Sequence, residues 1–120
     1  MSAQNPTLPQ ATYRACDSLT SVTIPDSVTS IGEDAFYNCR SLTSVTIGNG
    51  VTSIGYAAFE GCDSLNTVYY KGTAEEWSSI GIGSWNSKLI NATRYYYSET
   101  EPTTQGNFWH YNAEGEIVLW

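Results

Sequence analysis

The sequence predicts a short α/β solenoid with parallel strands, closed at its carboxy-terminal end by an α+β cap. Three observations carry that prediction. Residues 18–40 return as residues 41–63, at a constant offset of 23 and with 15 of 23 positions identical. Within each copy, apolar and hydroxyl residues alternate over a few positions and then meet a turn, as a half-buried strand requires. Finally, 11 of the 16 aromatic residues fall in residues 69–120, so the far end has a different structural job. A fixed period of this length marks units that bury their apolar face only against the next unit.

Taken in order, residues 1–11 are polar and punctuated by Pro6 and Pro9, which predicts an extended or disordered lead-in. Residues 12–70 hold the array. Shifting Ala35–Cys39 back by 23 lands on Thr12–Cys16, so the chain enters partway through a unit, with Tyr13 at the Phe position. Leu19, Val22 and Ile24 form the inward side of a strand, and Ser21 and Thr23 face the other way. Pro25-Asp26-Ser27, or Gly48-Asn49-Gly50, supplies a tight turn. Val28 and Ile31 then point inward from a second short extended piece. Glu33–Phe36 predicts about one helical turn with its acidic residues at the favourable end.

The third copy keeps Leu65 and Val68, but Tyr69 and Tyr70 stand where Thr46 and Ile47 stood, and the pattern then fades. Residues 71–120 are assigned to the cap. Thr73 and Glu76 have capping-box spacing, which predicts a short helix carrying Trp77. A further helical turn is expected in Asn86–Ala92 and a strand in Thr93–Ser98. Asn107–Tyr111 and Glu116–Trp120 predict two strands around the turn sequence Asn112–Gly115.

The pattern Leu-x-x-Val-x-Ile-Pro-x-x-Val-x-x-Ile-Gly-x-x-Ala-Phe-x-x-Cys, read from Leu19 to Cys39, resembles the BspA-like, or treponemal-type, leucine-rich repeats. The resemblance covers residues 12–70. It implies a leucine-rich-repeat array of about two full units, right-handed, with a parallel sheet on its inner face. It also implies a setting on a bacterial or parasite cell surface, secreted or displayed, in adhesion or host interaction, and the bacterial setting is the one expected here. With two complete units, a broad concave binding surface does not follow.

Composition removes some function classes. Twelve acidic against five basic residues give a net charge of −7. The five bases are scattered singly, which argues against a nucleic-acid surface. No apolar run approaches membrane-spanning length, so no membrane insertion is expected. Cys16, Cys39 and Cys62 repeat with the period. Equivalent side chains in stacked units run parallel, a poor geometry for a disulfide, and none of the three has the close partner that a zinc site wants. They predict a ladder of buried thiols, Cys16 being the most exposed, with no metal and no cofactor. His110 is the only histidine, and no nucleophile elbow, HExxH or phosphate loop accompanies it. No catalytic residue is assigned, and the chain is expected not to be an enzyme.

What remains is surface. Ser21, Thr23, Ser44, Thr46, Thr67 and Tyr69 should align as a polar strip on the outer strand face, and Trp109 of the cap joins them as a candidate binding residue. The expected role is a non-enzymatic interaction module, the terminal part of a surface repeat protein, holding a protein or glycan on a host or neighbouring cell. Two alternatives accompany it. One is a purely structural cap of a longer array. The other is a carbohydrate-binding module using cap aromatics such as Trp85, Trp109 or Tyr111. The truncated first unit leaves Tyr13, Leu19, Val22, Val28 and Ile31 as an uncovered apolar edge, which predicts a homodimer through that edge.

Overall fold

The structure, a computed structural model, describes residues 7–120; the expectation for the first six residues lies outside them. Ten strands and two short helices follow in the order β1 (Thr7–Leu8), β2 (Ser21–Ile24), β3 (Ser30–Ile31), β4 (Ser44–Ile47), β5 (Ser53–Ile54), β6 (Thr67–Tyr70), α1 (Ala74–Ser78), β7 (Gly81–Ile82), α2 (Ser87–Asn91), β8 (Thr93–Tyr97), β9 (Phe108–Tyr111) and β10 (Ile117–Leu119). They form two sheets, one ordered β1-β3-β5-β7 and the other β10-β9-β8-β6-β4-β2. The repeat period sets the register. Val22 lies beside Val45 and Val45 beside Val68, while Ile31 lies beside Ile54. Each coil thus lays its apolar residues directly on those of the next, and Phe36, Leu42, Val45, Ile47, Phe59 and Val68 are fully buried between them.

The outer bends depart from the expected helical turn. Asp34 and Asn38 have φ of +55° and +60°, and Ala57 and Gly61 repeat this in the next coil with +55° and +78°. An α-helix cannot hold such residues. The reason lies in the amide accounting: alternate amides leave the coil. Asp34, Phe36 and Asn38 donate to the carbonyls of Tyr56, Ala58 and Glu60, whereas Ala35, Tyr37 and Cys39 donate within their own bend. Stacking claims every second N–H, and two left-handed residues aim them. Inside the bend the rings stack as well, Tyr13 on Phe36 at 5.2 Å and Phe36 on Phe59 at 5.0 Å.

Two boundaries differ from those expected. Thr7–Leu8, within the segment read as a lead-in, pairs in parallel with Ser30–Ile31, and the Gly32 amide donates to the Leu8 carbonyl. At the other end the ladder continues past Tyr70. β7 pairs with β5, and β8 pairs in parallel with β6, matching Thr67 to Thr93 and Tyr70 to Tyr96. This further coil advances 26 residues instead of 23, because α1 replaces the tight turn between the two strands. Thr73 and Glu76 form the complete capping box at the start of α1, and Trp77 packs edge-on against Tyr70 at 5.2 Å.

The amide ladder of the bends ends at Asn86. No backbone carbonyl follows in the position that would serve Phe59, and the Asn86 side chain takes that role. Its Oδ1 accepts from the Phe59 amide at 2.9 Å, and its Nδ2 donates to the carbonyls of Gly55 and Gly83. Beyond β8 the β9–β10 hairpin closes the second sheet, with Asn112 Oδ1 accepting from the amides of Glu114 and Glu116 across the turn.

Candidate functional site

The outer face of the larger sheet carries two rows. One runs Ser21, Ser44, Thr67, Thr93; the other runs Thr23, Thr46, Tyr69, Tyr95. Parallel pairing in register keeps side chains of one row about 4.8 Å apart, so the rows are regular and stiff. Tyr69 and Tyr95 stack at 5.6 Å. The first row extends one rung beyond the hydroxyls expected from the sequence, and Tyr95 makes the second row's end a pair of rings. The signal was present as Thr67-Val68-Tyr69-Tyr70 echoed by Thr93-Arg94-Tyr95-Tyr96, at an offset the 23-residue period hides.

The strip is not uniformly open. Ser21 and Thr23 are exposed, and Ser44, Thr67 and Tyr69 are half-buried. Thr46 is buried, with 6% exposure. Trp109 is wholly buried, which removes it as an exposed stacking platform. The cause is the curl of the sheet. Register sets Trp109 beside Tyr97, and its ring contacts Tyr97 at 5.0 Å, Tyr69 at 5.9 Å and Tyr111 at 4.9 Å. Its indole N–H donates to the Tyr70 carbonyl at 2.9 Å, so its one polar atom is satisfied. Trp109 is therefore the floor of an aromatic cluster, and Tyr111, 37% exposed, is its accessible member.

Lys71 completes this end. Its ammonium lies 3.3 Å from Asp26 Oδ2 and faces the rings of Tyr97 and Tyr111 at 5.7 and 5.9 Å. Thr23, Asp26, Thr46, Lys71 and Tyr111 line a cleft of about 230 Å³. Gly48 is required under it, because a Cβ there would meet Pro25 and Asp26 at 2.6–2.7 Å. The arrangement offers hydroxyls, one ion pair and aromatic faces, a set suited to holding a partner.

The apolar edge is smaller than expected. Val28 and Ile31 are buried, since Thr7–Leu8 adds a strand beside Ile31. Tyr13, Leu19 and Val22 remain half-buried, and with Leu8 they pack against the core. Tyr13, Val22 and Val28 help line an apolar groove of about 110 Å³ there.

The thiols sit in the core. Cys39 Sγ donates to the Tyr13 carbonyl and Cys62 Sγ to that of Phe36, at 2.9 and 3.1 Å. Burial pushes both thiols up, Cys62 to about 12. Both are free and buried, and Cys16 is half-exposed. His110 stacks on Trp120 at 3.9 Å, and its Nδ1 lies 3.2 Å from the Tyr111 carbonyl. Among the described residues no group of three or more His, Cys, Asp or Glu side chains is placed to hold a metal, and no helix is long and apolar enough to cross a membrane.

The family model described as "BspA type Leucine rich repeat region (6 copies)" matches residues 6–100. This chain belongs to the BspA-type leucine-rich repeat family. The match runs through β8, in agreement with the extra 26-residue coil. Among solved structures, a leucine-rich repeat protein from Bacteroides capillosus ATCC 29799 is similar at 29% identity and a TM-score of 0.57, over 75% of this chain and 62% of that one. The T. pallidum leucine-rich repeat protein shares the fold at 22% identity and a TM-score of 0.55, over 77% of this chain and 51% of that one. The BspA-type chain thus spans less than two thirds of either relative's length. No curated protein matches it.

Proposed function

We propose that this BspA-type chain is a non-enzymatic interaction module that holds a protein partner in adhesion at a bacterial surface. The observation that carries the reading is the strip itself: Ser21, Thr23, Ser44, Thr67, Tyr69 and Tyr95 in fixed rows, ending at Tyr111 and the Lys71–Asp26 pair. A rigid, hydroxyl-lined sheet with tyrosine anchors binds at low entropic cost, since few side chains must be ordered on contact. Family membership supports the class of function, and the surface setting follows from the resemblance. Glycan stacking on Trp109 gains no support, because that ring is wholly buried. Self-association remains part of the reading, narrowed to β2 with Leu8, Tyr13, Leu19 and Val22.

The test places a photo-crosslinking phenylalanine analogue at Thr23 and, as control, at Thr104, both exposed. Incubation with surface extracts of host or neighbouring cells should give one discrete protein adduct at position 23, lost when Tyr69→Ala is added. Equal labelling at both positions, or none at position 23, would overturn the reading.

A further inference from the structure

The two nearly identical coils differ at eight positions, and the differences are clustered. Three lie in the turn after the strand: Pro25/Gly48, Asp26/Asn49 and Ser27/Gly50. The other five lie in or beside the outer bend: Glu33/Tyr56, Asp34/Ala57, Tyr37/Glu60, Asn38/Gly61 and Arg40/Asp63. Stacking accounts for identity, because a buried ladder requires the same side chain on each rung. The side chains of Asp34, Tyr37, Tyr56 and Glu60 lie outside that buried ladder, so these are free to carry individual chemistry.

They converge on one feature. A cleft of about 320 Å³ crosses the outer bends of four successive coils, with Arg14 from the first, Asp34 and Tyr37 from the second, Tyr56 and Glu60 from the third and Trp85 from the fourth. Every residue that the two near-identical coils contribute to it, Ala57 included, stands at a position where they differ. Tyr56 and Trp85 are 49% and 61% exposed. Trp85 has φ of +66°, taking the left-handed place held by Asp34 and Ala57 in the coils before it. A bulky ring is thus held outward at a backbone position that disfavours it. Among the described residues neither the Asp34 nor the Glu60 carboxylate is held in an ion pair. The chain also carries an example of what this surface holds: the Arg14 guanidinium lies over the Tyr37 ring at 4.6 Å.

Aromatic faces with carboxylates nearby attract a cation twice, through the ring quadrupole and through Coulomb attraction. The net charge of −7 adds a long-range field of the same sign. We propose that this cleft is a second contact site, which receives an arginine or lysine side chain from a basic segment of the protein partner. Trp85 and Tyr56 supply the faces, and Glu60 and Asp34 the counter-charges. The proposal rests on the interaction reading above but uses residues of the outer bends and none of the hydroxyl strip.

The test titrates the whole chain, ¹⁵N-labelled, with the blocked peptide acetyl-Gly-Arg-Ser-Arg-Gly-amide. The Trp85 indole N–H signal should move while that of buried Trp109 stays. The citrulline counterpart, equal in shape but neutral, should bind about tenfold more weakly. Trp85→Gly, which suits the positive φ, and Glu60→Gln should each weaken binding fivefold or more; the near-isosteric change Glu60→Gln at a half-buried position serves should Trp85→Gly not fold. Equal binding of the citrulline peptide, no loss in either variant, or no shift up to about 5 mM peptide would overturn the proposal. So would maltotriose moving the Trp85 signal where the arginine peptide does not, which would assign the cleft to glycan. An adduct at position 23 with a silent cleft would sink this inference alone, whereas no adduct at position 23 in the otherwise unaltered chain would sink the interaction reading.

Discussion

Asn86 shows how much one side chain contributes when a backbone ladder must end inside a protein. It is buried; its Oδ1 accepts from the Phe59 N–H, which a further coil would otherwise engage, and its Nδ2 donates to the Gly55 and Gly83 carbonyls. Asn86→Ala leaves the Phe59 N–H without its partner and removes the Nδ2 bonds, and the expected loss is about 1–3 kcal/mol, measurable by urea denaturation. The thiol ladder makes a second prediction at this scale. Burial, and then the neighbouring Cys39, raise Cys62 from 9.0 to about 12, so the folded state keeps its proton where the unfolded state releases it. Stability should therefore be unaffected by this group below pH 9 and should fall as pH rises from 9 towards 12. A thiol reagent at pH 8 should label Cys16 promptly, and Cys39 and Cys62 only as fast as the chain opens. Prompt labelling of all three would contradict the buried ladder.

At the scale of elements, α1 is the piece whose sequence signal and structure agree most closely. Thr73 and Glu76 make both reciprocal bonds, at 3.1 and 2.9 Å. Thr73→Ala should cost about 1 kcal/mol and lower the melting temperature by a few degrees, without changing the circular-dichroism signature of the sheet. The strands were legible for a related reason: Leu19, Val22, Ile24, Val28 and Ile31 repeat at an offset that register preserves. The bends were less legible. Glu33-Asp34-Ala35-Phe36 has the composition of a helix start, and nothing local says that Phe36's N–H is claimed by Ala58 of another coil. Asp34 at positive φ is a product of that long-range demand. Trp109 misled differently, because its burial depends on the curl that brings Tyr69, Tyr97 and Tyr111 around it. Asn86 was visible only as a helix-start residue, since its true partners are 27 and 31 positions away.

At the scale of the molecule, six strands of one sheet run from β2 to the hairpin β9–β10. At the hairpin end the Trp120 indole N–H donates to the Ser98 carbonyl at 2.7 Å. Among the described residues β2 is paired only on its β4 side, next to half-buried Leu8, Tyr13 and Val22. A strand edge of this kind is a template for another strand unless a charge blocks it. Sedimentation at rising concentration should show reversible dimers that Val22→Lys abolishes, and a monomer at all concentrations would contradict this. Between the ends lie the two faces assigned to binding, the hydroxyl–tyrosine strip and the cleft across the bends. Hydroxyl-radical footprinting shows whether the strip is covered in the complex, with the protein cross-linked at position 23 purified and supplied in excess. Oxidation of Tyr69, Tyr95 and Tyr111 should fall several-fold in the complex, with buried Trp109 silent in both states. Unchanged oxidation of those three tyrosines would contradict the claim that this chain works through its strip.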